Sequence, residues 1–344
     1  MSNVNCATVL GIIQKNGLVS RREITTISGL SWGGMTKIVN KLLEKEYITE
    51  SKIKTTSESG RIPSVLSVNT ERNFVVGLDI NHTGLSAVVV NMTGEILKRY
   101  SAPTPSKDKK SFLAETMSFV SKVFSDYENG VIISIGIAMQ GIVDHKRGIS
   151  IRFPGVDDWD NVPIKDIFEK EFNVSVFVEH DPDCLLSPHL KYDKPENTIL
   201  LRIDKGVGMA ATLYGKMIKG EGIFEIAHNI VIPDGKECSC GRRGCLQAYV
   251  SACTKDNNIV KEKLEELALP LAITINNLSS IFCADRIILT GALMKDSDLF
   301  KDKIQSKLTE YDCNSVIEYT EISDNAEYGA ALIAINKSIN TLNV

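Results

Sequence analysis

The sequence predicts an α/β protein in which a small winged helix-turn-helix domain precedes a larger body built as two α/β lobes. Two observations carry this prediction. The first part of the chain contains three short helical segments followed by two strands around a polar loop, the order found in winged helix-turn-helix domains. After it, strands and helices alternate, and the order strand, strand, helix, strand recurs in part. We therefore predict a winged helix-turn-helix domain at 1–70 and a second domain at 71–344, with approximate lobes at 71–183 and 184–344.

Length and composition narrow the class of protein. The 344 residues allow two or three domains with their own cores, and hydrophobic and charged fractions of 43% and 24% are ordinary for a globular protein. No stretch is long and apolar enough to cross a membrane, and residues 1–17 lack the basic start and apolar run of a signal peptide. We therefore expect a cytoplasmic protein with no membrane partner.

The charge is unevenly distributed along the chain. Residues 1–65 contain nine Lys or Arg and five Glu, a net charge of +4, which leaves −8 for the other residues because the total is −4. A basic head on an acidic body is typical of a protein whose head contacts a polyanion. A solvated basic face gives the same charge pattern, so the residue pattern inside the head has to decide.

Three helices are predicted in the head. The first covers 4–16 and stops at a glycine, a residue suited to a left-handed C-terminal cap. Ser20 and Glu23 form a capping box that starts the second helix. Ser31 caps the third helix after a second glycine. The order helix, glycine-containing turn, helix predicts a helix-turn-helix.

The third predicted helix is amphipathic. Its apolar stripe is formed by Met35, Ile38, Val39, Leu42 and Leu43, and its other face is small, polar or basic, as in a recognition helix that meets base edges.

Strands at 47–54 and 64–68, joined by the polar loop 55–60, predict the wing. The residues predicted to contact DNA are Arg21, Trp32, Gly33, Thr36, Lys37, Asn40, Lys41, Lys52, Lys54 and Arg61. A helical protein-interaction module with the same three-helix core is the alternative.

The body is predicted as two comparable halves. The first half contains strands at 74–80, 85–91, 95–102 and 131–138 and a helix at 111–127. The second half contains strands at 198–204, 209–214, 216–219, 286–290 and 316–321 and helices at 258–282, 297–311 and 325–340. Two such halves predict a cleft between them, where small ligands usually bind.

Three cysteines lie within eight residues, at Cys238, Cys240 and Cys245, and His228 precedes the first by ten positions. Two thiolates one residue apart can face the same ion, the nearby glycines allow a tight turn, and an imidazole can complete a tetrahedron. This spacing predicts a structural zinc ion. The alternative is a disulfide pair with a spare thiol, which a reducing cytosol disfavours. The other five cysteines lie among apolar neighbours and are expected to be buried thiols.

The sequence resembles the ROK family of bacterial repressors and sugar kinases, named for repressor, open reading frame and kinase. Phe-Glu-Ile-Ala-His at 224–228 and Cys-Ser-Cys-Gly-Arg-Arg-Gly-Cys-Leu-Gln at 238–247 are similar to the family signatures Glu-x-Gly-His and Cys-x-Cys-Gly-x-x-Gly-Cys-Leu-Glu. Gly-Arg-Ile-Pro at 60–63 stands where many repressor members have Gly-Arg-Arg-Pro. The resemblance therefore covers almost the whole chain.

The resemblance implies both the fold and the sites of the body. The fold would be a two-lobed actin-like domain, related to sugar kinases and ribonuclease H. Zinc would be held at the positions of His228, Cys238, Cys240 and Cys245. Sugar hydroxyls would be bound at the positions of His180, Asp181, Glu225, His228 and Gln247. His180 stands where the family usually has Asn, and Gln247 replaces an acidic residue, a change that could suit a sugar acid, a phosphosugar or a pentose.

The first phosphate loop of the family's kinases is not kept in this chain. Family kinases carry Asp-x-Gly-Gly-Thr after the first strand, whereas this chain has Asp-Ile-Asn-His-Thr at 79–83, with Asn81 and His82 in place of the glycines. Bulky side chains block the approach of backbone amides to ATP phosphates. We therefore expect no enzymatic activity, with Asp181, which matches the family's catalytic base, as a vestigial group.

Together these features predict a sugar-responsive transcriptional regulator that represses a carbohydrate-utilisation operon. It would bind a near-palindromic operator as a homodimer or a dimer of dimers, and release it when a sugar or phosphosugar effector binds. One alternative is an ATP-dependent sugar kinase of the same family with an atypical phosphate loop. Another is a zinc-dependent sensor with no sugar ligand.

Overall fold

The computed structural model describes residues 3–52, 64–81, 84–127, 130–190, 196–219, 225–255, 258–294, 298–320 and 325–341. The chain forms two compact units. The first contains Met1–Glu179 and Glu327–Val344, and the second contains His180–Ala326. Each unit has its own five-stranded sheet.

The head of the first unit consists of three helices and a two-stranded antiparallel sheet. These elements are α1 (Asn3–Asn16), α2 (Arg21–Ser28), α3 (Trp32–Glu44), β1 (Ile48–Lys52) and β2 (Ser64–Val68). At the start of α2, the Glu23 amide donates to the Ser20 hydroxyl at 3.3 Å, and the Ser20 amide donates to the Glu23 carboxylate at 2.7 Å. The predicted helix-turn-helix is confirmed. The predicted wing loop 55–60 lies outside the described residues.

The apolar core of the head is built from the stripe that periodicity predicts. Met35, Ile38, Val39 and Leu42 of α3 are buried, and Leu43 is half-buried. Each fully buried side chain of this size contributes roughly 1.5–3 kcal/mol relative to an exposed one. The same cluster of buried side chains continues into the sheet of the first unit. The head is therefore packed onto that sheet rather than attached only through the chain.

Two side-chain hydrogen bonds join the head to the sheet within the first unit. Gln14 of α1 donates to the carbonyl oxygen of Met92 at 2.8 Å. Asn73, at the start of the first long strand, donates to the carbonyl oxygen of Glu46 at 2.8 Å. Both bonds satisfy partly buried backbone oxygens, so they favour one orientation of the head on this sheet.

The body of the first unit is a mixed sheet with two helices. Its elements are β3 (Asn73–Asn81), β4 (Gly84–Asn91), β5 (Ile96–Ala102), α4 (Lys109–Ser125), β6 (Val131–Met139), β7 (Ile142–Asp144), β8 (Ile149–Arg152), α5 (Ile164–Phe172) and β9 (Ser175–His180). The strand order is β5-β4-β3-β6-β9, with β3 antiparallel to β4 and parallel to β6. β7 and β8 pair separately.

The second unit repeats this sheet topology. Its elements are α6 (Asp181–Leu186), β10 (Thr198–Ile203), β11 (Val207–Leu213), β12 (Lys216–Met217), α7 (Leu246–Ala252), β13 (Thr254–Lys255), β14 (Asn258–Ile259), α8 (Lys261–Phe282), β15 (Arg286–Thr290), α9 (Asp298–Glu310) and β16 (Val316–Tyr319). The strand order is β12-β11-β10-β15-β16, with β10 antiparallel to β11 and parallel to β15. The two predicted α/β halves are confirmed, and their two sheets share the same strand order and strand directions.

The C-terminal helix α10 (Ala326–Thr341) packs on the sheet of the first unit, although sequence order places it after the second. Its Ala331 and Ala334 are buried in the cluster that also holds sheet residues. Two glycines show how closely the helix lies on the sheet. A Cβ added at Gly77 would fall 1.8 Å from the carbonyl oxygen of Glu327, and a Cβ added at Gly136 would fall 2.1 Å from the carbonyl oxygen of Ala330. The predicted second lobe, 184–344, included this helix, whereas the structure assigns Glu327–Val344 to the first unit.

Two local predictions were wrong. The helix predicted from residue 258 begins at Lys261, because Asn258–Ile259 pair with Thr254–Lys255 as a short hairpin. Cys283, predicted to be buried, is exposed, because it lies in the left-handed cap that ends α8. Among the described helices, none combines the length and the apolar character that a membrane span requires.

Candidate metal centre and ligand site

A tight loop of the second unit brings the three predicted thiols together. The Cys238 amide donates to the Arg242 carbonyl oxygen at 2.9 Å, and the Gly241 amide donates back to the Cys238 carbonyl oxygen at 2.9 Å. Gly244 has φ 78°, and a Cβ there would fall 1.8 Å from the Ile232 carbonyl oxygen. Only glycine fits this position, so Gly244 permits the close approach of the loop to the backbone at Ile232.

The four predicted metal ligands converge in the structure. Their donor atoms, from His228, Cys238, Cys240 and Cys245, all lie within 4.8 Å of one another. The Cys238 sulfur is 3.5 Å from Nδ1 of His228, and the sulfurs of Cys240 and Cys245 are 3.7 Å apart. A tetrahedral zinc site has edges of about 3.6 Å between nitrogen and sulfur and about 3.8 Å between sulfurs. A disulfide would need sulfurs about 2.05 Å apart. The residues therefore fit a zinc ion and do not form the alternative disulfide.

Two of the thiols differ in how readily they ionise. A hydrogen bond from the Arg242 side chain lowers the pKa of Cys240 to about 6, so this thiol is a thiolate at neutral pH. Burial raises the pKa of Cys245 to about 11. Binding of a metal at this cluster would therefore displace a proton from Cys245, and the affinity would fall as the pH is lowered.

The residues predicted to bind sugar all belong to the second unit, at three places in the chain. His180 and Asp181 lie where β9 meets α6, and Nε2 of His180 is 3.5 Å from Oδ1 of Asp181. Glu225 precedes the short 3₁₀ turn that contains His228, whose Nδ1 faces the metal ligands. Gln247 lies in the first turn of α7. The predicted metal ligands thus lie close in sequence to both residues, with His228 three positions after Glu225 and Cys245 two positions before Gln247.

Arg202 on β10 is a site residue that the sequence analysis missed. Its Nη1 donates to Oδ2 of Asp181 at 2.9 Å, and its Nε donates to Oδ2 of Asp204 at 2.6 Å. The other oxygen of Asp204 accepts from the backbone amide of Ala292 at 2.5 Å. The Arg202 side chain is only 14% exposed. The available signal was a basic residue two positions before the aspartate that follows β10, but the two partners of Arg202 lie 21 residues before it and 2 residues after it.

This chain of contacts engages two polar groups of the second unit, the Asp181 carboxylate and the Ala292 amide. One oxygen of Asp181 is committed to the Arg202 guanidinium, so a sugar hydroxyl would have to compete for it. The Ala292 amide, in the loop after β15, already donates to the Asp204 carboxylate. In the first unit, Asn81 donates to Oδ2 of Asp79 at 2.7 Å, while His82 lies outside the described residues.

The predicted DNA-contacting residues of the head differ in exposure. Trp32, Gly33, Lys37, Asn40 and Lys41 of α3 and Lys52 of β1 are exposed. Thr36 is half-buried, with its hydroxyl oxygen turned into the head. Lys54 and Arg61 lie outside the described residues.

Arg21 is half-buried and is engaged by other residues of the head. It pairs with Glu50 at 2.9 Å and donates to Asn40 at 3.3 Å, and it therefore ties α2 to α3 and β1.

Comparison with known proteins agrees with this architecture. A sequence model of the ROK family matches residues 75–254, and a winged helix-turn-helix DNA-binding model matches residues 8–49. The chain belongs to the ROK family. Together the two matches account for both the head and most of the body, as the family resemblance predicted.

Similar proteins include named transcriptional repressors and regulators. The xylose repressor of Caldicellulosiruptor bescii is 22% identical over 95% of this chain and 94% of its own length. The DNA-binding transcriptional dual regulator NagC of Escherichia coli is 23% identical over 99% of this chain and 94% of its own. The transcriptional repressor Mlc of Escherichia coli is 26% identical over 73% of this chain and 64% of its own.

Solved structures confirm the fold. A ROK family transcriptional regulator, described as a homolog of the Escherichia coli Mlc protein, has a TM-score of 0.83 at 20% identity and covers 98% of this chain and 96% of its own. A ROK hexokinase from Thermus thermophilus has a TM-score of 0.64 at 23% identity, covering 77% of this chain and 98% of its own. The ROK body therefore has the sugar-kinase fold that the resemblance implied, and the regulator match also includes the head.

Proposed function

We propose that this ROK protein is a sugar-responsive transcriptional repressor of a carbohydrate-utilisation operon, which leaves its operator when a sugar binds to the second unit. One observation carries the proposal: a winged helix-turn-helix with an exposed polar and basic helix face shares a chain with a ROK body. The relatives named as xylose and N-acetylglucosamine repressors support it.

For the head, we propose that α3 enters the major groove of DNA. The exposed residues Trp32, Lys37, Asn40 and Lys41 lie on the face opposite the buried stripe, which is the placement a recognition helix needs. Lys52, which is exposed at the end of β1, would contact a phosphate. Arg21 supports α3 through Asn40 and Glu50, so its role in binding is to hold the helix.

For the second unit, we propose a structural zinc ion at His228, Cys238, Cys240 and Cys245. The ion would supply no chemistry to a substrate and would fix the loop that carries the sugar residues. His180, Asp181, Glu225, His228 and Gln247 would then bind the sugar hydroxyls. Because Nδ1 of His228 faces the thiols, Nε2 is the atom left for the sugar.

We propose that the protein is not a kinase. Asn81 stands where the family's kinases have a phosphate-loop glycine, and its side chain is bonded to Asp79. In the second unit, the Asp204 carboxylate accepts a hydrogen bond from the Ala292 amide. An ATP-coupled assay over a sugar panel tests this proposal, and turnover abolished by Asp181→Asn would establish the kinase instead.

The regulator function is tested by fluorescence anisotropy with the natural upstream DNA of the protein's own operon. We expect salt-dependent binding that weakens when the effector sugar is added, by the 1–3 kcal/mol, about 5–150-fold, typical of allosteric coupling. Binding insensitive to salt would contradict phosphate contacts by the head. Size-exclusion chromatography with light scattering tests the proposed homodimer in the same samples.

A further inference from the structure

A cavity of about 360 Å³ lies in the first unit, and its lining includes no residue predicted to bind DNA, metal or sugar. It is surrounded by the turn between β7 and β8, the first turn of α5, the edge strand β9 and the last turn of α10. Its size falls within the range of small-molecule sites, roughly 300–1,000 Å³. Among the described residues that line it, Lys146, Lys165 and Lys337 are basic and none is Asp or Glu.

This positive lining contrasts with the charge of the surrounding chain. Outside residues 1–65 the protein has a net charge of −8, yet three ammonium groups border one cavity. Like charges around a concave surface repel one another, and an anion between them relieves the repulsion. His145 also lines the cavity and adds an imidazole that can donate a hydrogen bond. The lining therefore favours a negatively charged ligand.

Close packing fixes the turn between β7 and β8 against α5. Gly148 has φ 68°, and a Cβ there would fall 2.3 Å from Cβ of Lys165. The Lys165 amide donates to the Gly148 carbonyl oxygen at 3.0 Å. Within the turn, the Asp144 carboxylate accepts from the amides of Lys146 and Arg147 at 3.1 and 3.0 Å. The backbones that carry Lys146 and Lys165 are thus held together at the same cavity.

The third lysine, Lys337, reaches the cavity from α10. It pairs with Glu179, which is completely buried, and its Nζ lies 5.5 Å from the centre of the Phe177 ring. An ammonium group has three N–H donors, so one carboxylate does not saturate it. Val176 and Val178, on either side of Phe177, are buried and also line the cavity. The cavity therefore combines cationic walls with an apolar floor.

Negative groups near the cavity are engaged within the protein. Glu169 lies 4.0 Å from the Lys165 ammonium and accepts from the Val176 amide at 3.1 Å. Carbonyl oxygens at the end of a helix carry partial negative charge. Here the side chains of Thr341 and Asn340 donate to carbonyl oxygens of their own helix at 3.1 and 3.0 Å. These bonds reduce the repulsion that an anion in the cavity would meet.

We propose that this cavity binds a small phosphate monoester. The phosphate would accept charge-assisted hydrogen bonds from Lys146, Lys165 and Lys337, and the organic part would lie on the floor formed by residues 176–178. A concave pocket of this size suits a small ligand better than the extended backbone of DNA. Phe177 also packs against the apolar cluster that contains the core of the head, so the ligand would bind to the same unit as the head.

The test measures the binding of three probes to the intact protein: inorganic phosphate, glycerol 3-phosphate and phenyl phosphate. Isothermal titration calorimetry gives the affinities in a phosphate-free buffer of constant ionic strength, and glycerol serves as an uncharged counterpart. We expect both esters to bind and glycerol not to bind. Phenyl phosphate should bind more tightly than inorganic phosphate, because its ring buries apolar surface on the cavity floor.

A double substitution assigns this binding to the cavity. Lys146→Gln combined with Lys165→Gln removes two charges and keeps the ion pair between α10 and β9. We expect both esters to bind about ten-fold more weakly, as for the loss of two partly exposed ion pairs. Lys110→Gln combined with Lys122→Gln removes two exposed charges from α4 of the same unit, and should leave the affinities unchanged.

Lysine acetylation followed by mass spectrometry locates the site in the wild-type protein. Phenyl phosphate should protect Lys146 and Lys165 from acetylation and leave Lys110 and Lys122 as reactive as before. Protection of the second pair as well as the first would mean that the anion binds lysines generally, and would overturn the site.

The remaining outcomes are equally decisive. Failure of every phosphate probe to bind, or equal binding of glycerol and glycerol 3-phosphate, would overturn the ligand class. Unchanged ester affinity in the Lys146→Gln, Lys165→Gln variant, with the variant folded by its unfolding curve, would overturn the site. If that variant lost operator affinity but still bound phenyl phosphate like wild type, these lysines would contact DNA instead. The proposed sugar response is tested separately, because its residues belong to the second unit.

Discussion

The head and the metal loop are stabilised in different ways. In the head, Val9, Ile13, Ile24 and Met35 are completely buried, and the apolar cluster continues into the sheet beneath. In the loop at 228–245, short backbone bonds and four converging metal ligands hold the chain, while Ile230 is 53% exposed. Apolar burial stabilises the head without a ligand, whereas the loop would gain stability if a metal bound to its four converging side chains.

Removing one metal ligand should give the largest effect and should spare the head. For Cys240→Ser we expect at least a 100-fold loss of zinc affinity, because a hydroxyl replaces a thiolate, and with it a loss of the sugar response. DNA binding by the head should persist, because its core does not include the loop. Zinc content by mass spectrometry, sugar titration and anisotropy measure the three quantities.

Cys283→Ser is the matched control for this variant. Cys283 is exposed and lies outside the metal cluster, so zinc content and sugar affinity should stay at wild-type values. If Cys240→Ser lacked zinc yet kept its sugar affinity, the loop would not brace the ligand site.

The second-largest effect tests whether close packing determines the stability of the first unit. Gly77→Ala places a methyl group against the Glu327 carbonyl oxygen of α10, a backbone atom that cannot turn away. We expect the free energy of unfolding to fall by about 3 kcal/mol, as in overpacked cores. Chemical denaturation measures this change. Gly11→Ala, where an added Cβ meets nothing within 4 Å, should instead be neutral or stabilising.

A smaller effect is expected at the DNA-facing surface of the head. Lys37→Ala should weaken operator binding by about three- to ten-fold and reduce the slope of log affinity against log salt by about 1, because one phosphate contact is lost. Lys122→Ala on α4 removes an equivalent exposed charge away from the head and should change neither quantity. An unchanged salt slope in Lys37→Ala would show that this lysine does not contact a phosphate.

The smallest effect concerns a helix cap. Ser20→Ala removes the hydroxyl that accepts from the Glu23 amide but keeps the backbone amide that donates to the Glu23 carboxylate, so we expect a loss of about 1 kcal/mol in the stability of the head. Ser121→Ala on α4 removes a hydroxyl that only returns to its own helix, at the Met117 carbonyl oxygen, and should cost less than about 0.5 kcal/mol. Equal melting temperatures for Ser20→Ala and wild type would argue against the cap.

Much of this protein can be predicted from sequence because the relevant interactions are local. Ser20 and Glu23 are three residues apart, so a capping box follows from spacing alone. The buried stripe of α3 follows from helical periodicity. Cys238, Cys240 and Cys245 lie within eight residues, and they converge on His228 as the spacing predicted. The order of strands and helices similarly predicted two α/β halves.

The tertiary structure alone decided which distant groups meet. Arg202 bridges Asp181 and Asp204, and Asp204 reaches the Ala292 amide 88 residues later in the chain. The side-chain amide of Gln247 donates to the carbonyl oxygen of Lys205, 42 residues away. α10 returns to the sheet of the first unit. Such contacts depend on how strands and helices stack, and neither periodicity nor spacing encodes which side chains then face one another. The family and the convergence of the four predicted metal ligands could therefore be predicted from the sequence, whereas the contacts of Arg202 and Asp204 with distant groups depend on the folded chain.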